Sequence, residues 1–145
     1  MFCFKSKKDT VKALNDCHKG DYTILNLYNY STDCKVVDVY DGDSIEVIFD
    51  YTDKQRLEVK VRMYGYDAPD IKRPKNEENK EEMKRLAEDI RDKLREQILN
   101  TVCTITFKGW DNYGRVKGVI IKDGLCINQW MLDNSYGTLV DNEKL

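Results

Sequence analysis

This sequence has no apolar run of membrane-spanning length, no Cys-x-x-Cys pair, one histidine and no surplus of positive charge. Each absence excludes something. Without a long apolar run no spanning helix is expected. The opening Met1-Phe2-Cys3-Phe4-Lys5 lacks the apolar stretch of a secretory signal, so a cytoplasmic, intracellular setting is expected rather than export. Cys3 beside Lys5, Lys7 and Lys8 is open to palmitoylation, but Phe2 stands where a myristoyl signal needs glycine, so a second anchor is missing. The cysteines (Cys3, Cys17, Cys34, Cys103, Cys126) are odd in number and scattered, which argues against a complete disulfide framework and against a zinc site and fits a reducing compartment. His18 lies in a lysine-flanked helix end with no ligand set near it in sequence, and no role is assigned to it. Twenty-four Lys and Arg against 26 Asp and Glu leave a net charge of −2, so the chain as a whole does not attract a polyanion and any nucleic-acid contact must be local.

What is present suits one domain. The 145 residues are 41% hydrophobic, enough for a sizeable core but too few for a second full domain. Residues 1–33 read as an N-terminal extension with a short helix, capped by Asp9 or Thr10, carrying Val11 and Leu14 on one face and stopping at Gly20, followed by an ambiguous aromatic stretch from Tyr22 to Tyr30. Residues 34–145 read as the main domain. Val36, Val37 and Val39 lead through Asp41-Gly42 to alternating Ile45, Val47 and Phe49, which predicts two strands around a turn, and a third follows from Gln55 to Met63, with Pro69 closing it off. Met83, Leu86, Ala87, Ile90, Leu94 and Ile98 recur at helical spacing, with Glu81–Arg85 and Asp89–Lys93 as i,i+4 pairs on the wet face. Cys103, Ile105 and Phe107 predict a fourth strand and Val116 to Lys122 a fifth, before a short helix from Asn128 to about Asn134. Three meandering strands, a helix, two strands and a helix is the order of a five-stranded Greek-key barrel of the OB type, an α+β fold that is mainly β.

Three stretches carry chemistry. In Asp41-Gly42-Asp43 the turn accounts for the first two residues but not for Asp43. Asp67, near the end of the third strand, is positioned to stand beside it, and a hard cation such as Ca²⁺ would relieve the repulsion between the two carboxylates. Arg62 at that strand end and Arg115 after the Asn112-Tyr113-Gly114 turn would bring two planar guanidinium forks around one point, which suits phosphate because each fork bonds it bidentately and never deprotonates. Two forks, a metal and a spare carboxylate are the parts for phosphodiester hydrolysis.

Asp41-Gly42-Asp43-Ser44-Ile45, Arg62-Met63-Tyr64-Gly65-Tyr66-Asp67-Ala68-Pro69-Asp70 and Asp111-Asn112-Tyr113-Gly114-Arg115 resemble, in order, the three signature segments of the staphylococcal nuclease (thermonuclease) family. The resemblance covers about Cys34 to Tyr136. It implies a monomeric, Ca²⁺-dependent nuclease on an OB-fold that cuts DNA and RNA to leave 3′-phosphates. Asp43, Asp67 and the Ala68 carbonyl would be the metal ligands, Arg62 and Arg115 would stabilise the transition state, and Tyr113 would line the nucleotide site. Asp70 stands where the family has the glutamate proposed to activate water. One methylene fewer withdraws that carboxylate by roughly 1 Å, a displacement able to cost about 10²-fold in rate, so a slowed nuclease is expected rather than a dead one. Ser44 replaces a usual threonine, Ala68 a hydroxyl residue and Asn112 a usual lysine or arginine, while the family's distal tyrosines and final helix have no counterpart. The alternative is a catalytically silent OB module that binds nucleic acid or a protein partner.

Overall fold

The computed structural model describes residues 6–21, 25–72 and 78–145. The Cys3 anchor, the start of the Tyr22 stretch and the Pro74 end of the loop after the third strand lie outside them. Three strands meander first: β1 (Ser31–Asp41), β2 (Ser44–Thr52) and β3 (Gln55–Met63). Their inward residues, among them Val36, Val39, Ile45, Val47, Phe49, Val61 and Met63, are buried, as the alternation predicts. The register of β1 against β2 shifts between Val36 and Asp38 and again between Val39 and Asp41. Such irregularities bend and coil a strand, and here they let β1 pair with β2 along most of its length and with a second partner at its start.

That partner is β5 (Val102–Trp110), which forms a hairpin with β6 (Val116–Lys122). The strands run in the order β3-β2-β1-β5-β6, and β6 returns to pair with β3 in parallel, so the five close into a barrel of the OB type. The closing register sets Val61 against Val116 and Arg62 against Lys117. Both valines are buried, so Arg62 and Lys117 share the outward face. Helix α2 (Lys80–Ile98) plugs one end with Ala87, Ile90, Leu94 and Ile98. Each large aliphatic side chain so buried contributes about 1.5–3 kcal/mol. Helix α3 (Ile127–Asp133) packs beside β6 and buries Ile127 and Met131.

Several expectations need correcting. The short N-terminal helix α1 (Lys7–Asn15) is capped by Ser6 and not by Asp9 or Thr10. The Ser6 hydroxyl accepts the Asp9 N–H at 3.2 Å and donates to the Asp9 carboxylate at 2.6 Å, so Asp9 completes the cap from within the first turn. The helix ends at Asn15, before Gly20. β1 begins three residues ahead of Cys34, with Ser31 opposite Thr106. β3 stops at Met63, well short of Pro69, because the chain turns at Tyr64-Gly65 into a two-residue strand, β4 (Tyr66–Asp67). β4 pairs with another short strand, β8 (Thr138–Leu139), and β7 (Leu125–Cys126) extends β6; periodicity cannot announce segments so brief. On the outer face of α2 the ion pairs among described residues are Arg91–Asp92 and Arg95–Asp92, not Glu81–Arg85 and Asp89–Lys93. Cys34 and Cys103 face each other across β1 and β5 as free, buried thiols, and burial together with Cys103 pushes Cys34 up to about 12. No helix of the described residues is long and apolar enough to cross a membrane.

Candidate active site

The turn between β1 and β2 sets the first acid. Gly42 is obligatory there on steric grounds: a Cβ would stand 2.6 Å from Ile90 of α2 and 2.8 Å from the Ala68 side chain. The Gly42 carbonyl accepts the buried Tyr66 hydroxyl at 2.6 Å, and burial holds that phenol well above its usual pKa, so it stays a donor. The turn is thus tied to β4, where the second acid lies. Asp43 is held at each of its oxygens: its carbonyl takes the Met63 N–H at 2.8 Å, one carboxylate oxygen takes the Ser44 hydroxyl at 3.1 Å, and the other takes the Ala68 N–H at 2.8 Å.

Arg62 spans the two acids. One terminal nitrogen donates to the carbonyls of Met63 at 2.9 Å and Tyr66 at 2.8 Å and lies 3.4 Å from the Asp43 carboxylate, while the other donates to Asp67. The side chains of Arg62 and Asp43 are 14% exposed and that of Asp67 54%, so the guanidinium sits between a sheltered acid and an open one.

Arg115 precedes β6 and is held by its own turn. Asp111 accepts the N–H groups of Tyr113 and Arg115, both at 2.8 Å, and the Arg115 Nε at 2.6 Å, while a terminal nitrogen of Arg115 donates to the Ser44 hydroxyl at 3.0 Å. Burial alone would raise the Asp111 pKa, but these donors and the guanidinium outweigh it and hold the carboxyl below its ordinary value.

These groups meet in an open cleft of about 410 Å³ lined by Arg62, Asp67, Tyr113, Arg115, Lys117 and Glu143, among others. Tyr113 is 85% exposed at its rim. Asp43 stands beneath, reached through Arg62. Asp70 does not line that cleft. Its carboxylate accepts the Lys72 N–H at 2.8 Å, closing a turn in its own loop, and it lines a cavity of about 610 Å³ that Arg115 also borders and, with Asp67 and Ala68, another of about 290 Å³. Asp41 lies in the larger of these too; burial and the nearby Asp70 charge raise its pKa.

Neither protein-family models nor curated protein sequences give a match to this chain. The site therefore has to be judged on its own geometry. Three of its members escape a reading from residue type alone. Asp111 has a local signal, an acid four residues before an arginine across an Asn-Tyr-Gly turn. Lys117 emerges only from the closing register opposite Arg62. Glu143, 7% exposed, accepts the Gly65 N–H at 3.3 Å and pairs with Lys117 at 3.1 Å, and no local pattern encodes partners so distant in sequence.

The oxygen donors suit a hard divalent cation in kind, though few in number. Asp43 and Asp67 converge on one guanidinium, and the Asp43 carboxylate is bonded to Ala68, whose carbonyl is the third candidate ligand. Two acids against one arginine leave a local excess of negative charge for a cation to balance. Among the described residues no three acid, histidine or cysteine side chains gather as a ready-made metal cluster, so water and a phosphate oxygen would have to complete the shell of a six- to eight-coordinate ion.

Proposed function

We propose that this chain is a Ca²⁺-dependent nuclease similar to the staphylococcal nuclease family, hydrolysing phosphodiester bonds of DNA or RNA. One observation carries the reading: Arg62 and Arg115, from different hairpins, line one cleft with Asp67, while Asp43 is ion-paired with the same Arg62 at 3.4 Å. In this reading a phosphate enters the cleft between the two guanidinium groups, each of which offers planar donors to the equatorial oxygens as charge builds in the transition state. Asp43, Asp67 and the Ala68 carbonyl would hold the cation, which when bound supplies charge neutralisation and polarisation of the phosphoryl oxygen. Exposed Tyr113 offers a face for the nucleoside. Asp70, across Arg115 from the cleft, would take a proton from water or orient it through a change in its loop that gives up the Lys72 N–H.

The test is digestion of plasmid DNA and of RNA with Ca²⁺, with Mg²⁺ and with a chelator. Cleavage with Ca²⁺ and none with chelator is expected. Calorimetry in the presence of a nucleoside 3′,5′-bisphosphate should show Ca²⁺ binding lost in Asp43→Ala and Asp67→Ala; titrations like the parent's would displace the metal from this site.

A second reading, a silent OB module that binds nucleic acid or a protein partner, draws on the position of Asp70. Its carboxylate closes a turn in its own loop and lies outside the Arg62 cleft. Absence of cleavage under every metal, with oligonucleotide or partner binding intact, would favour it.

A further inference from the structure

The cavity beyond Arg115 has more cationic lining than the cleft itself. Lys60 comes from β3, Lys72 from the loop, Arg91 and Arg95 from α2, and Arg115 from the hairpin wall. Against these five stand Asp38, Asp41 and Asp70, which leaves +2 on the lining, or +1 once Asp92, ion-paired with both α2 arginines from outside it, is counted, in a chain whose net charge is −2. Charge of this sign in a concave surface focuses a field on an anion far more strongly than the chain as a whole can.

The two arginines of α2 are also pre-set. Arg95 donates its Nε to the Val39 carbonyl at 3.0 Å, next to an irregularity of β1. Asp92, which does not line the cavity, steadies both, at 3.1 Å from Arg91 and 3.7 Å from Arg95. Little side-chain entropy is then left to lose when an anion binds. Tyr40 lines the same cavity and is 38% exposed, a flat aromatic surface beside fixed cations. Aromatic faces interleaved with positive charge are how single-stranded nucleic acid is held without reading its sequence.

We propose that this cavity is a second nucleotide subsite, in which Lys60, Arg91 and Arg95 hold the phosphate next along the strand and Tyr40 stacks its base. The assignment rests on the nuclease reading of the neighbouring cleft, since Arg115, shared by both spaces, makes them successive stations for one strand. The recognised ligand is a single-stranded polynucleotide, because an unpaired base is needed to lie on Tyr40.

The test separates the subsite from the chemistry. Anisotropy of a labelled single-stranded deoxyhexanucleotide is measured with a chelator present, so that nothing is cut, across a series of salt concentrations. Calorimetry of deoxythymidine 5′-monophosphate with Ca²⁺, which carries a single phosphate, reports the Arg62 cleft alone. In the double variant Lys60→Ala with Arg91→Ala, hexanucleotide affinity should fall about tenfold or more, and the salt slope should decrease by about 0.7 for each phosphate no longer neutralised. Arg95 is left in place because it bonds the main chain of β1. Tyr40→Ala should weaken the hexanucleotide while leaving the salt slope unchanged, as loss of stacking does. The monophosphate should bind all variants alike. Unchanged hexanucleotide affinity and slope in the double variant, or an equal loss for both ligands, overturns the subsite even if the parent cuts DNA. A parent that binds the hexanucleotide through these residues and cuts nothing supports the subsite and overturns the nuclease reading instead.

Discussion

Arg62 on β3 and Arg115 just ahead of the neighbouring β6 are the same side chain beside one cleft, and they are held in opposite ways. Arg62 is bonded to two main-chain carbonyls and to Asp67, with Asp43 3.4 Å away, and those acids are the proposed cation ligands. Arg115 is gripped at Nε by Asp111, which also accepts two N–H groups of its own turn, and touches Ser44 besides. A cation bound as proposed would compete for the partners of Arg62 and leave those of Arg115 alone. In that reading Arg62 is the arginine whose bonding would change on metal binding, and Arg115 the one held independently of it.

The largest expected effect separates the two directly. Arg62→Lys should lower the cleavage rate by about 10²- to 10³-fold, because an ammonium keeps the charge but not the fork. It should also cost about 1–3 kcal/mol in urea unfolding, because the carbonyls of Met63 and Tyr66 lose their shared donor. Arg115→Lys should lower the rate by about 10²-fold while costing less stability than Arg62→Lys. Equal stability losses would show that the carbonyl bonds of Arg62 contribute nothing to the fold, and unchanged rates would remove both residues from the mechanism.

Asp70 borders the cavity on the Arg115 side, and lengthening it tests whether reach is what it lacks. Asp70→Glu should raise the single-turnover rate at saturating Ca²⁺ by up to about 10²-fold, with affinity unchanged, and Asp70→Asn should lower it. No cleavage by the parent and none gained with glutamate would leave the binding module as the better account.

The smallest effect concerns the grip on Arg115. Asp111→Asn keeps the shape but removes the charge and one of the two accepting oxygens, so the rate should fall by about tenfold, equivalent to about 1.4 kcal/mol of barrier. The same substitution has a pH signature. The folded Asp111 carboxyl titrates below its ordinary 3.8, so its contribution to stability is present above that value and is lost as pH falls from 3.8 through the folded value. Urea midpoints of parent and variant should therefore differ at neutral pH and converge in that acid window. A gap that stays constant down to the lowest pH would show that the Asp111 charge plays no part in stability.

Much of the fold was legible because strands and helices announce themselves by period. The Gln55 to Met63 and Val116 to Lys122 strands stand where alternation puts them, and α2 carries Ala87, Ile90, Leu94 and Ile98 inward as its spacing requires. The tip of the second hairpin falls at Asp53-Lys54, between the strands that alternation predicts. Arg62, Asp67 and Arg115 could be singled out because their residue types stand out at predicted strand ends, Tyr113 only through the family resemblance, and the cleft does bring the four together. Local spacing could not show that Asp70 would bond the Lys72 N–H, a choice made by loop geometry. Nor could it show Glu143 on Gly65, or Arg91 and Arg95 facing Lys60 across a cavity. On α2 those arginines read as part of a solvated charged face, and only the bend of β1 against the helix gives them a neighbour.

The parallel pairing of β3 with β6 carries a consequence for how the molecule is made. Residues 61–63 meet residues 116–118 only when the barrel shuts, and Asp67 meets Thr138 later still along the chain. Pairings this distant form late, after the loop-closure entropy has been overcome. A nascent chain emerging from the ribosome therefore has Arg62 and Asp67 before it has Arg115, Lys117 or Glu143 to set beside them. The cleft that these five line is complete only once the segment through Glu143 has been synthesised and β6 has closed on β3.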